Sequence, residues 1–142
     1  MDIQKLIDEY ATWLKSEITF ERIGEYYEIT TPYTDNANDY LQIYVRQEGS
    51  DIYFTDDSAT INGLKMSGFQ FTPHRKEHLK RIIRQCGVNL SGDELVAKVP
   101  INNFAQKKHL FIQAILRIED MFSGSKQKVA SVFLDDIQEF FD

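Results

Sequence analysis

Four aspartates, Asp35, Asp39, Asp56 and Asp57, fall at or beside turns in the stretch Ile29 to Asp57, and they are the residues of this chain best suited to chemistry. Carboxylates converging at one sheet edge could hold Mg²⁺ for phosphoryl transfer, which needs hard oxygen ligands. A nuclease of the restriction type would also want an acid and a lysine two apart on the strand after the first aspartate. Neither Asp39-Tyr40-Leu41 nor Asp51-Ile52-Tyr53 supplies them. Loop aspartates otherwise cap turns and following helices through side-chain hydrogen bonds, or present an acidic rim to a basic partner. His74, His78 and His109 with Cys86 resemble a zinc set only in composition. His74 and His78 are four apart on a helix, yet neither Glu77 nor Cys86 completes four ligands at tight spacing. Cys86 falls on an apolar helix face, where a thiol is usually inert core. The sequence therefore predicts no metal centre, no cofactor and no catalytic residue.

A second set of residues suits recognition instead. Leu41, Ile43 and Val45 alternate with Tyr40, Gln42, Tyr44 and Arg46, the period of two expected when one sheet face is buried and the other is open. Tyr53 on the next strand and Tyr26 on an earlier one extend the aromatic set. Tyrosine and arginine together make up many interface hot spots, although cross-strand aromatic pairs also merely steady a sheet. Arg75, Lys80, Arg81 and Arg84 form the one basic helix of the chain, a candidate contact for phosphate or partner, while charged helix faces are most often just solvated.

The elements that must position these residues follow from spacing. Ile3, Leu6, Ile7, Tyr10, Trp13 and Leu14 recur at helical intervals over Asp2 to Glu17. Thr19 to Thr30, broken by Gly24, is a strand pair or a bent strand that ends at Thr31-Pro32. The run Asp35 to Asp39 is a loop, and Gln47 to Asp51 turns the chain from the Tyr40 strand into Ile52-Tyr53-Phe54. Asp35, Asp39, Asp56 and Asp57 are thus expected at one mouth of the hairpin. Ser58 to Ser67 suits a short helix or turn with Ser58 as its cap. Pro73 opens a helix that Gly87 closes. Val88 to Pro100 is a second hairpin turning at Ser91-Gly92-Asp93, and Asn102 or Asn103 starts a long helix carrying Phe104, Phe111, Ala114, Ile115, Ile118, Met121 and Phe122. The polar run 123–128 leads to a last amphipathic helix bearing Val129, Val132, Phe133, Ile137, Phe140 and Phe141, which could dock on the core or form a homodimer.

The expected fold is α+β: an antiparallel sheet, a three-stranded meander plus a hairpin, packed against helices in the order α-β-β-β-α-β-β-α with an extra C-terminal helix. Residues 1–122 are read as a single domain and 123–142 as linker and helix. A chain of 142 residues, 42% hydrophobic and 13% aromatic, can bury a core. The net charge of -6 argues against general affinity for nucleic acid or anionic membrane and favours a basic partner. No apolar run approaches the roughly 18 residues of a membrane span. The single cysteine and an N-terminus that opens straight into an acid-bearing helix fit a cytoplasmic protein.

The segments ITTPYTDNANDYLQIYV, YFTDDSATINGLKMSGF, GVNLSGDELVAKV and NNFAQKKHLFIQAIL resemble the bacterial and phage family known as domain of unknown function 1828. The resemblance covers roughly Leu6 to Phe122. Its pattern falls on Thr31, Pro32, Asp35, Asp39, Thr55, Asp56 and Asp57, with Ser58 where a glycine is expected. It implies a phage or mobile-element context, and longer relatives that continue into a second domain through a segment like VASVFLDDIQEFF.

The sequence thus leans toward a non-enzymatic protein-binding module, an inhibitor, antitoxin or regulatory factor. It would engage its partner through Tyr40, Tyr44, Arg46 and Tyr53 and the aspartate edge. The alternative is a metal-dependent nucleic-acid-processing enzyme or accessory subunit built on Asp35, Asp39, Asp56 and Asp57.

Overall fold

The computed structural model describes residues 1–122. Helix α1 (Ile3–Glu17) starts at Asp2, whose side chain accepts a hydrogen bond from the Lys5 amide. Four strands follow as a continuous meander: β1 (Thr19–Ile23), β2 (Tyr26–Thr34), β3 (Tyr40–Glu48) and β4 (Asp51–Thr55). Two helices come next, α2 (Ala59–Met66) and α3 (Pro73–Arg84), then the hairpin β5 (Asn89–Ser91) and β6 (Glu94–Pro100). A 3-10 turn (Ile101–Asn103) leads into α4 (Phe104–Phe122). All six strands form one antiparallel sheet in the order β1-β2-β3-β4-β6-β5. The α+β architecture is as expected, with four strands in the meander and a helix in place of the open choice after Thr55. The expected helix over residues 129–141 lies outside the described residues.

Turn chemistry explains the meander. Gly24 sits at φ 61 between β1 and β2, so Thr19 to Thr30 folds back as a strand pair and not as one bent strand. Gly49, also at φ 61, closes a two-residue turn between Glu48 and Asp51. Pro32 does not end β2, contrary to expectation. The register between β2 and β3 shifts between Thr30 and Thr34, and a proline, lacking an N–H to donate, is accommodated at such an irregularity. Thr31 steadies the site: it is buried, its hydroxyl donates to the Leu41 carbonyl at 2.9 Å, and it accepts from the Tyr33 amide.

The alternation along β3 sorts the two faces. Leu41, Ile43 and Val45, with Ile29, Phe54, Leu95 and Ala97 from neighbouring strands, point to the side where α2, α3 and α4 pack. Phe111, Ala114, Ile115 and Ile118 of α4 cross this face, and Phe54 lies against Phe104 and Phe111 at ring separations of 5.6 and 5.7 Å. Leu79, Ile83 and Cys86 seal the far end. Helix α1 is different. It buries no residue, and Ile3, Leu6, Ile7, Tyr10 and Trp13 all keep about half of their surface exposed.

Candidate protein-binding face

On the other side of the sheet no helix lies among the described residues, and most side chains that point there are polar or aromatic, with Ile23 and Val96 as aliphatic members. Register puts Arg46 opposite Tyr53 and Tyr53 opposite Lys98, with Tyr26 one step along β2. These four form a row across four strands. The Arg46 guanidinium stacks between two rings, 4.7 Å from the Tyr53 centroid and 5.7 Å from that of Tyr26, and its Nε donates to the Tyr26 hydroxyl at 3.1 Å. Glu48 completes the group, receiving Arg46 at 2.5 Å and Lys98 at 3.1 Å. Lys98, assisted by Arg46, holds the Glu48 carboxyl below the usual carboxylate range. Such contacts hold the Arg46 guanidinium in one orientation.

The adjacent row is built on Glu28, which faces Tyr44 across β2 and β3. The Tyr44 hydroxyl donates to Glu28 at 3.0 Å, and Gln42 donates to Glu28 and to the Thr30 hydroxyl. Burial, reinforced by this hydrogen bond and the Glu28 charge, pushes the Tyr44 phenol up to about 12. Tyr40 stands at the start of β3 and is exposed. The sequence reading therefore placed Tyr40, Tyr44, Arg46 and Tyr53 on one face, as the structure does. It missed Glu28, Glu48 and Lys98 as the groups that lock them. The signal was present in the alternation of β2 and β6, but only pairing register says who faces whom.

The aspartates are arranged differently from one another. All four lie at the same end of the sheet, yet Thr34 pairs with Tyr40 while Thr55 pairs with Tyr44. The β2–β3 hairpin thus overshoots β4 by about four residues, or roughly 13 Å of strand. Asp35 folds its own loop, accepting from the amides of Ala37 at 2.8 Å and Asp39 at 3.0 Å. Asn36 in that loop donates to Glu119 at the end of α4. Asp39 and Asp57 are exposed.

Asp56 is the exception: it is only 1% exposed and leaves the surface set. Its Oδ1 accepts from the amides of Ser58 and Leu95, both at 2.9 Å, and its Oδ2 from that of Thr60 at 3.1 Å. Asp56 thereby caps α2 and ties it to β6. Ser58, expected to be the cap, sits in the left-handed region at φ 63 and makes no side-chain capping bond. Glycine adopts that conformation most easily, which accounts for the glycine expected there. No group of three or more His, Cys, Asp or Glu that could hold a metal ion occurs among the described residues.

The basic helix is only partly free for a partner. Arg75 lies over the Phe69 ring at 5.0 Å and donates to the Gln70 carbonyl. Lys80 pairs with Glu77 at 3.3 Å, whereas Arg81 and Arg84 are exposed. Lys76 and Lys65 converge on Asp93 in the β5–β6 turn, at 3.3 and 2.6 Å, and hold its carboxyl low. Helix α3 packs on the helical side of the sheet, so its cations and the tyrosine face point to opposite sides of the molecule. No helix of the described residues is long and apolar enough to cross a membrane.

No curated protein and no solved structure matches this chain. The sequence model of the family described as Domain of unknown function DUF1828 matches residues 31–118, a span that runs from Thr31 at the β2 irregularity to Ile118 in the core of α4. That span is 88 of the 142 residues, and the chain belongs to the DUF1828 family.

Proposed function

We propose that this protein is a non-enzymatic binding module whose helix-free sheet face docks a protein partner, as an inhibitor, antitoxin or regulatory factor of a phage or mobile element does. The observation that carries the reading is the row Tyr26, Arg46, Tyr53 and Lys98, held rigid by Glu48 on a face without a helix among the described residues. Preorganised arginine and tyrosine lose little side-chain freedom on docking, which is why such groups carry a large share of interface energy. Tyr40 and Tyr44 extend the face, and Asp35, Asp39 and Asp57 at one end of the sheet favour a partner with basic side chains there. The lone buried thiol, Cys86, suits a reducing cytoplasm.

The test is affinity capture from extracts of the native host with the immobilised full chain. Arg46→Ala combined with Tyr44→Ala is expected to weaken retention of a specific protein at least about thirtyfold, as loss of a hot spot does. Asp39→Asn should weaken it only a few-fold and change its salt dependence. Circular dichroism verifies that each variant is folded. A partner held equally well by the double variant would remove the sheet face from the reading.

A further inference from the structure

Helix α1 carries its apolar side chains at the surface. Ile3, Leu6, Ile7, Tyr10 and Trp13 recur at helical spacing along one stripe, and the fold buries none of them. Tyr10 and Trp13 stack on each other at 6.3 Å, and just past the end of the helix Phe20 and Tyr27 meet edge to face at 6.0 Å. Phe20 is 73% exposed and Tyr27 40%. An open apolar groove of about 950 Å³ runs between α1 and α4 over Ile29 and Val45, with Phe20 and Tyr27 in its lining, so the stripe, the ring pair and the groove form one continuous surface. Aromatic side chains present roughly 150–250 Å² each, so the exposed fractions of Tyr10, Trp13, Phe20 and Tyr27 alone come to about 450 Å². Ile3, Leu6, Ile7 and the aliphatic lining of the groove bring the patch toward the roughly 800 Å² that each partner of a standard interface buries. The largest apolar patch on a typical monomer is about 300–600 Å².

We propose that this surface binds a second copy of the chain, the two α1 helices packing antiparallel, stripe against stripe, about a twofold axis. Area is the first argument, because the patch matches what one side of a stable dimer buries. Charge is the second. Asp8 and Lys15 are two helical turns apart and stand on the same flank of the stripe. Twofold symmetry sets like flanks side by side, so the register that brings Asp8 level with the second copy's Lys15 forms that ion pair twice. The same register brings Tyr10 level with the second copy's Trp13, since the two pairs share one midpoint along the helix. Four stacked rings then meet at the centre of the contact, where aromatic side chains contribute most. A membrane surface suits the stripe less well. Lys5 and Lys15 are the cations of α1 against Asp8, Glu9 and Glu17, whereas a helix that lies on anionic lipid carries a basic polar face.

The inference concerns the side of the sheet opposite the proposed docking face, so either can fail without the other. Sedimentation equilibrium of the full chain tests it. At about 100 μM, where a micromolar Kd leaves most chains paired, the mass of two chains is expected. Trp13→Glu should raise the dimer Kd at least about thirtyfold, as loss of a hot spot does. Helix α1 buries no residue, so Trp13→Glu leaves the core intact. Asp8→Lys and Lys15→Asp should each weaken the dimer several-fold, and the two together in one chain should restore it, because the exchanged pair re-forms across the axis. A wild-type monomer at 100 μM would overturn the proposal, and one that sediments with anionic phospholipid vesicles would make the stripe a membrane contact. A dimer whose Kd is unchanged by Trp13→Glu would overturn it too, placing the contact elsewhere on the chain. Failure of the double charge exchange to restore what the single changes lose would overturn the antiparallel register.

Discussion

At the scale of single residues, Asp56 shows how one carboxylate can organise a junction. Its two oxygens receive three backbone amides, from Ser58 and Thr60 at the start of α2 and from Leu95 on β6. Asp56→Ala strands those donors in a buried site, where each unsatisfied group costs about 1–3 kcal/mol. The expected loss is about 3 kcal/mol or more, measured as a lowered urea midpoint with an unchanged slope. Asp56→Asn keeps one accepting oxygen and should lose less. Burial raises the Asp56 carboxyl pKa against the downward pull of the amides. A raised folded-state value means the folded chain binds this proton more tightly than the unfolded one. The corresponding stability is present below the ordinary value of 3.8 and is lost as pH rises through the folded value. Asp56→Asn removes that slope.

At the scale of elements, helix ends and turns decide the order of the chain. Gly87 follows α3 at φ 67, and Lys107 from α4 reaches across to donate to the carbonyls of Gly87 at 3.1 Å and Cys86 at 3.5 Å. A Cβ at position 87 would come within 2.5 Å of the Lys107 Nζ. Gly87→Ala should therefore cost about 1–2 kcal/mol, part of it for the left-handed backbone and part for displacing the ammonium group. In a Lys107→Ala background only the backbone part remains, so a double-mutant cycle by thermal unfolding should show the two changes to be non-additive. Additivity would mean that Lys107 moves aside at no cost.

These elements also show what spacing can and cannot reveal. The helices over Ile3–Glu17, Pro73–Arg84 and Phe104–Phe122 were legible because apolar residues recur at 3.6-residue intervals, and the face of β3 was legible from its alternation. The continuation of β2 through Pro32 was not, since a sequence does not show that the pairing register shifts at that point. That loop aspartates cap the next helix was legible, and Asp56 does so for α2; its further bond to Leu95, 39 residues away, was not. The convergence of Asp35, Asp39, Asp56 and Asp57 was read from topology alone. Topology brings them to one end of the sheet, but stagger and burial give them different surroundings.

At the scale of the whole molecule, Cys86 reports on the core it belongs to. It is 1% exposed, within hydrogen-bonding range of Arg117 at 3.6 Å, and packed with the buried residues of α3 and α4. A thiol reagent should reach it only when the core opens. Ile115→Ala, which removes a side chain only 1% exposed, is expected to cost about 2–5 kcal/mol and so to speed the reaction at least about thirtyfold. A rate unchanged by that substitution would show that Cys86 is reached by a local opening at the end of α3.

The six-stranded sheet ends on β1 at one side and on the three-residue β5 at the other. All five residues of β1 are exposed, including Phe20 and Ile23, and among the described residues no strand pairs with its outer backbone edge. Such a border invites edge-to-edge pairing between molecules and, in bulk, aggregation. Glu21 and Arg22, set between the two apolar residues, act as gatekeepers against it. Neutralising Glu21 and Arg22 together is therefore expected to raise light scattering from a concentrated solution of the protein while its circular dichroism stays unchanged.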